Sequence, residues 1–164
     1  MLGYMAAEVG IAQSALPLIV GMVSIGNGLG RLAFGALADK IGGKKAMSIS
    51  NLVFIFGLTM AVFANKTGLH IFIGVGFVFA GIGYGAPSTL SAALVKRNFG
   101  EKYYPQNLSA VILALIPASL IGPMISAGIY QQFGEYLPAY LIMIGITLGA
   151  FLPIKIYGDG QVQK

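Results

Sequence analysis

Arg31 is the charged residue whose position has the clearest chemical meaning, because it interrupts an otherwise apolar stretch of the chain. A guanidinium is always charged, and its planar fork of N–H donors matches the two oxygens of a carboxylate. Asn27 lies one helical turn earlier and would share a helix face with it. The pair predicts a binding site for a small carboxylate. Two other roles stay open: Arg31 could reach the membrane surface or backbone carbonyls, and Asn27 could join two helices.

A second group of polar side chains surrounds Pro87, in another apolar stretch. A proline inside a helix removes one backbone hydrogen bond, and the sequence predicts a helix break there. Such breaks are tolerated in a membrane where neighbouring helices or cavity water satisfy the freed backbone groups. Tyr84 and Ser88 are therefore predicted to line the path of a bound substrate. The alternative is that these hydroxyls bond the backbone of their own helix.

Other kinds of chemistry find no support in the sequence. Cysteine is absent, which excludes disulfides and thiolate metal sites. We find no metal-ligand spacing, no phosphate-binding loop and no nucleophile–base set. We therefore expect no bound metal, no cofactor and no enzymatic activity. The net charge of +5 raises the question of nucleic acid. However, the basic residues form short clusters between long apolar runs, which is typical of membrane proteins, so nucleic-acid binding is not expected.

The composition itself indicates a membrane protein. Hydrophobic residues make up 57% of the 164 residues and charged residues only 9%, against roughly 25% charged in a typical soluble domain. Each long apolar run can hold the roughly 20 residues that a spanning helix needs. The sequence predicts an all-α membrane protein of about five transmembrane helices, in a single membrane domain over residues 1–164. The predicted spans cover about residues 14–38, 46–64, 69–94, 108–130 and 137–154.

Charges between the spans predict the orientation. Spans joined by short loops must alternate in direction, so the loops fall on two sides. One side holds Lys66, and all the other loop and tail lysines and Arg97 fall on the opposite side, which is therefore expected to be cytoplasmic together with the C-terminus. We expect a multi-pass protein of the plasma (inner) membrane. Tyrosines near the span ends are expected to form an aromatic belt: Tyr103, Tyr104, Tyr136, Tyr140 and Tyr157.

The first predicted loop carries a resemblance to a known family. Residues 35–45 read Gly-Ala-Leu-Ala-Asp-Lys-Ile-Gly-Gly-Lys-Lys, which resembles the cytoplasmic loop signature of the major facilitator superfamily, G-x-L-A-D-R/K-x-G-R/K-R/K. The match departs at Gly43, where a basic residue is usual. The resemblance implies a gating loop in which Asp39 faces the N-terminal end of the fourth span, near Asn107. The residues implied in this loop are Gly35, Asp39, Lys40, Gly42, Lys44 and Lys45.

The resemblance also implies which part of such a transporter these residues form. In the first half of family members, helix four usually opens with a membrane-embedded arginine, and residues 69–94 contain none. The chain therefore resembles helices eight to twelve, and the N-terminal half of the transporter is expected to be a missing partner beside the lipid bilayer.

A narrower resemblance is to the oxalate:formate antiporter and monocarboxylate transporter group. The residues that carry it are Asn-Gly-Leu-Gly-Arg at 27–31, Asn-Phe-Gly-Glu-Lys-Tyr-Tyr at 98–104 and Gly-Pro at 122–123. Oxalate-type members carry a basic residue in helix eleven, where this chain has Leu115. The implied function is antiport or symport of a small monocarboxylate-like anion. The alternatives are transport of another solute, with Arg31 structural, or a non-transporting or oligomeric small membrane protein.

Overall fold

A computed structural model describes residues 16–69 and 71–156 of the protein, and the start of the first predicted span, at residues 14 and 15, lies outside them. The described residues form helices and no strand, so the predicted all-α fold is confirmed. Four helical stretches are long and apolar enough to cross a membrane: Pro17–Ile41, Gly43–Thr67, Ile71–Phe133 and Leu137–Ile156. The helices are α1 (Leu16–Ile41), α2 (Gly43–Thr67), α3 (Ile71–Phe133), α4 (Leu137–Gly149) and α5 (Phe151–Ile156).

Gly100 divides α3 into two arms, residues 71–99 and residues 101–133, which we call the first and second arms. Its φ of 68° and ψ of 175° are non-helical and belong to a region that essentially only glycine occupies. The sequence predicted a connection over residues 95–107, with the fourth span beginning near Asn107. That prediction was wrong, because both arms stay helical up to Gly100 and the second arm begins at Glu101.

The helix break expected around Pro87 is also absent. Within α3 the non-helical backbone angles lie at Gly100, whereas Pro87 and Pro117 lie inside continuous helix. A proline removes one hydrogen bond from a helix, and in membrane helices local adjustment and neighbouring groups compensate for that loss. The first arm therefore stays one continuous helix, which packs along both α1 and α2.

Small residues bring α1 and the first arm of α3 into close contact. A Cβ built on Gly26 of α1 would lie 3.0 Å from the carbonyl oxygen of Val78, and one on Gly81 would lie 2.7 Å from that of Val23. A Cβ on Gly30 would overlap the carbonyl of Ile82, and one on Gly85 would overlap that of Asn27. These glycines let two backbones approach closely, as small-xxx-small patterns do in membranes. They place the Arg31 turn of α1 against the Tyr84 turn of α3.

A second seam of small residues joins the first arm to α2 on another face. A Cβ on Gly76 would lie 2.6 Å from the carbonyl oxygen of Gly57, and one on Gly83 would lie 2.8 Å from that of Ser50. Ser50 is fully buried, and its hydroxyl donates to the carbonyl of Met47 at 2.8 Å. The first arm of α3 is therefore held between α1 and α2.

The tyrosines at the start of α4 are part of the core. Tyr136 and Tyr140 are 5% and 3% exposed and pack in a cluster with Leu58, Ile73 and Phe77. Tyr103 is exposed, and Tyr157 lies outside the described residues, so the expected aromatic belt stays a prediction. Burial lets the large apolar rings of Tyr136 and Tyr140 pack in the core. This packing fixes the start of α4 against α2 and the first arm.

Candidate functional site

Arg31 lies in the middle of α1. It precedes the end of the helix at Ile41 by about 15 Å, given a rise of 1.5 Å per residue. Its Nε donates a hydrogen bond to Oδ1 of Asn27 at 3.0 Å, so the two side chains meet on one face of α1 as their spacing predicts. Asn27 uses its acceptor for this bond and thereby orients the guanidinium.

The charge of Arg31 has no acidic counterpart in the described part of the chain, where the salt bridge present joins Lys96 to Glu101. An arginine near the centre of a bilayer costs roughly 2.5–3.5 kcal/mol on insertion scales. The amide of Asn27 is neutral and leaves that charge uncompensated. Arg31 is also exposed, so its guanidinium can pair with an anion that comes from outside the described helices.

Arg31 lines a cavity of about 380 Å³ that lies between α1 and both arms of α3. Tyr84 and Ser88 of the first arm line the same cavity, with Pro87 and Ser91. The structure thus brings together Arg31, Tyr84 and Ser88 from the predicted binding set. Asn27 does not line this cavity; it lines a smaller one of about 140 Å³, which also borders Tyr84.

The hydroxyls of the cavity differ in what they offer a ligand. Ser88 Oγ donates to the carbonyl oxygen of Gly85 at 3.0 Å, so its proton is used within its own helix and its lone pairs remain as acceptors. This bond matches the alternative role stated for Ser88. Tyr84 is 67% exposed and borders both the cavity of Arg31 and the smaller cavity of Asn27. Its phenol can donate to a carboxylate oxygen as well as accept.

The opposite wall of the cavity comes from the second arm of α3 and is apolar. Leu108, Val111, Ile112 and Leu115 form it. Leu115 also borders, with Tyr84, a further cavity of about 540 Å³ that extends toward α4. In the sequence, Leu115 was notable only as the position where oxalate-type transporters carry a basic residue. The structure places it in the lining of the cavity of Arg31.

Ser91 is a lining residue that the sequence reasoning missed. It follows Ser88 by one helical turn, so the two serines lie on the same face of the first arm. That spacing was the available signal. The cavity therefore combines one cation and several hydroxyls with an apolar wall, an arrangement that can hold a small anion with an apolar part.

The loop between α1 and α2 is a single turn around Gly42. Gly42 has φ 88°, and its N–H donates to the carbonyl of Ala38 at 2.9 Å, which ends α1. Gly35 lies one turn before Asp39 and faces Thr89 of the first arm, whose methyl would lie 3.4 Å from an added Cβ. The implied gating role of this loop stays a prediction.

The charged residues of this loop point away from the core. Asp39 and Lys40 are exposed at the C-terminal end of α1. Asp39 forms no salt bridge with any residue that the structure describes, and the helix end expected near Asn107 lies instead at residue 101. Lys44 Nζ donates to the backbone carbonyl of Lys155 at 3.3 Å, which ties the start of α2 to α5. Lys45 is exposed.

Comparison with known proteins agrees with the helical membrane fold described above. The family model of the Major Facilitator Superfamily matches residues 1–160. Searches of curated proteins and of solved structures gave no match. The family consists of secondary transporters rather than enzymes, which agrees with the long apolar helices and the mid-span cavity. Because the match covers nearly the whole sequence, the chain belongs to the Major Facilitator Superfamily, a family of secondary transporters, and is a multi-pass membrane protein.

Proposed function

We propose that the transporter carries a small organic anion of the monocarboxylate type, and that Arg31 binds its carboxylate. The observation that carries this proposal is a mid-span guanidinium without an acidic partner among the described residues, lining a cavity with Tyr84 and Ser88. Arg31 Nε is held by Asn27, and its terminal nitrogens remain for a bidentate contact. Tyr84 can donate a further hydrogen bond to the same carboxylate.

A single negative charge suits the cavity better than two. Arg31 is the cationic residue among those that line it, and the facing wall of Leu108, Ile112 and Leu115 offers no polar group. The second carboxylate of a dicarboxylate would lie against these apolar side chains and lose its hydration without a partner, which is costly. An apolar substituent of a monocarboxylate would instead gain from contact with that wall.

A second half of the transporter would complete the site. Large apolar side chains of the second arm are exposed on the bundle, among them Leu113, Leu120 and Met124. Lipid can cover some of them, but Arg31 and Tyr84, which line the cavity, are also exposed. We expect the N-terminal half of the transporter to close it, so that the two halves rock about a midplane site.

The unpaired charge of Arg31 bears on coupling. A site that returns across the membrane empty would carry the unpaired charge of Arg31, whereas a loaded site carries a neutral pair. Antiport of one carboxylate for another therefore suits this site, and symport would require a further group to compensate Arg31 on the empty return. The basic end of the bundle, with Lys40, Lys45 and Lys102, supports a cytoplasmic location for that end.

One observation favours a second candidate function. The hydrogen bond from Arg31 to Asn27 lies within α1, so the role of Arg31 could be structural. The transporter would then carry another solute. The two candidates differ in whether the carboxylate charge of the substrate matters. A neutral isostere of the substrate separates them.

The test is equilibrium binding to the full-length gene product in detergent or liposomes. The ligands are monocarboxylates, the matching primary amides and short dicarboxylates. Because a charged hydrogen bond contributes roughly 1.5–3 kcal/mol, we expect a monocarboxylate to bind at least about tenfold more tightly than its amide. Equal affinity for the acid and the amide would contradict the proposal and support the second candidate.

A further inference from the structure

A basic groove lies at the end of the bundle where α1 turns into α2, away from the cavity of Arg31. Its volume is about 760 Å³, and its cations come from two parts of the chain. Lys44 and Lys45 belong to the first turn of α2, and Arg97 belongs to the last turn of the first arm of α3. The remaining lining residues are Ile41, Gly42, Ser48 and Ile49, none of them acidic.

The charges of this groove are not neutralised by the described residues around it. The acid nearest to Arg97 along the chain, Glu101, pairs with Lys96 at 3.1 Å. Lys44 donates to a backbone carbonyl, which is neutral, so its positive charge persists. Lys45 and Arg97 are exposed and form no salt bridge with any described residue. Three cations therefore line one groove whose lining contains no acidic residue, and this favours a bound anion.

The N-terminus of α2 adds to the same field. The turn before α2 has no side-chain cap, and the first turn of the helix contains no acidic residue. The free N–H groups and the positive end of the helix dipole therefore add to the charge of Lys44 and Lys45.

Apolar side chains indicate where the anion comes from. Ile41 and Ile49 are 37% and 38% exposed beside the cations. Lys44 also borders a second cavity of about 310 Å³, whose other lining residues are mainly apolar and include Met47, Leu94 and Phe99. A free phosphate would gain nothing from these side chains, whereas a phospholipid has acyl chains that can contact them.

We propose that Lys44, Lys45 and Arg97 form a binding site for the phosphate of an anionic phospholipid at this end of the transmembrane helices. The headgroup phosphate lies among the three cations, and the upper part of an acyl chain lies against Ile41 and Ile49. Basic pockets between membrane helices are known to bind anionic headgroups. This site is independent of the proposed carboxylate substrate, since it shares no residue with the cavity of Arg31.

The test is native mass spectrometry of the full-length gene product in neutral detergent. The probes are phosphatidylglycerol and phosphatidylcholine with identical acyl chains. We expect phosphatidylglycerol to bind more tightly, and Lys45→Gln and Arg97→Gln each to weaken it about fivefold, as for the loss of one basic residue near a lipid surface. Both side chains are exposed, so neither change removes core packing.

Two control variants separate a built site from general attraction to positive charge. Lys102 is exposed at the same end of the bundle but does not line the groove, and Lys66 lies at the opposite end of α2. Lys102→Gln and Lys66→Gln should leave binding of phosphatidylglycerol within about twofold of the unmodified protein.

Three results would overturn the proposal. One is equal binding of phosphatidylglycerol and phosphatidylcholine, and another is the same loss in Lys102→Gln as in Arg97→Gln. The third is displacement of phosphatidylglycerol by an equal concentration of glycerol phosphate, which would assign the groove to a soluble phosphate compound. Glycerol phosphate that fails to compete supports a contribution from the acyl chains.

Discussion

Single residues decide the chemistry of the cavity, and Arg31 makes its charge positive. Tyr84, Ser88 and Ser91 bring hydroxyls to the cavity, but these are neutral and could serve many ligands. The guanidinium is the one feature that selects for an anion. Its geometry is set by Asn27, whose Oδ1 accepts from Nε at 3.0 Å.

The first prediction concerns the charge and the fork of Arg31. In the full-length gene product, Arg31→Gln should lower carboxylate affinity at least about tenfold, because an amide cannot form a charge-assisted pair. Arg31→Lys keeps the charge but loses the planar fork, so we expect intermediate affinity. The measurement is equilibrium binding normalised to folded protein, with Lys66→Gln as a control that removes a cation outside the cavity.

A structural role for Arg31 predicts the opposite pattern. Arg31→Gln would then lower expression or thermal stability, while the surviving folded protein would bind with normal affinity. That outcome would remove the reason for an anionic substrate.

At the scale of the elements, glycine seams decide how the helices meet. The seam between α1 and the first arm of α3 contains Gly30, where an added Cβ would overlap the backbone carbonyl of Ile82. A backbone atom cannot rotate aside as a side-chain end can. The seam therefore sets both the distance between the helices and the rotation that aims Arg31 at the cavity.

The second prediction compares two glycines of α1. Gly30→Ala should destabilise the protein by about 1–3 kcal/mol, because the methyl group overpacks the seam. Gly28 has no atom within 4 Å of an added Cβ, so Gly28→Ala should be neutral or stabilise by up to about 1 kcal/mol through helix propensity. Unfolding of the purified variants in mixed detergent measures both. Equal effects of the two changes would show that the seam is not tightly packed.

The third prediction concerns the joint between the two arms of α3. Gly100 has φ 68° and ψ 175°, so Gly100→Ala should cost about 1–3 kcal/mol in backbone strain. Gly122 lies in regular helix of the second arm and has open space around it, so Gly122→Ala is the matched control. Thermal unfolding should show a lower midpoint for Gly100→Ala than for Gly122→Ala. A midpoint that does not change at Gly100 would mean that the joint relaxes freely.

Across the whole molecule, charge is distributed unequally between the two ends of the bundle. Lys40, Lys45, Arg97 and Lys102 belong to the end where α1 meets α2 and where the two arms of α3 meet, whereas Lys66 is in the last turn of α2. The positive-inside rule predicts that the richer end faces the cytoplasm. The lipid site proposed above lies at that end.

The fourth prediction tests this orientation. Single cysteines replacing Lys102 and Lys66, in a chain that has no cysteine of its own, can be probed with an impermeant thiol reagent. In intact cells we expect labelling at position 66 and protection at position 102, and labelling at both after permeabilisation. Labelling at position 102 alone in intact cells would invert the orientation.

The sequence by itself determined that the chain is helical and lies in a membrane. Apolar runs with few charges allow this conclusion, because only internally bonded helices or closed barrels satisfy the backbone in hydrocarbon. It also identified Arg31 and Asn27 as neighbours, since a four-residue spacing on a helix is a local property. Glycines four residues apart, as at Gly26 and Gly30 and at Gly81 and Gly85, are likewise a local pattern that is typical of close helix packing in membranes.

Only the tertiary structure decided which distant residues share a site. Arg31, Ser88 and Leu115 come from three helical segments, and their meeting in one cavity depends on how α1 and the two arms of α3 are rotated. That rotation is set by the glycine seams and by the joint at Gly100. The spacing of the glycines indicates that a helix face can pack closely, but not which segment it meets. For the same reason the burial of Tyr136 and Tyr140 was missed: a tyrosine at a span end can face lipid or core, and packing against α2 and the first arm decides between them.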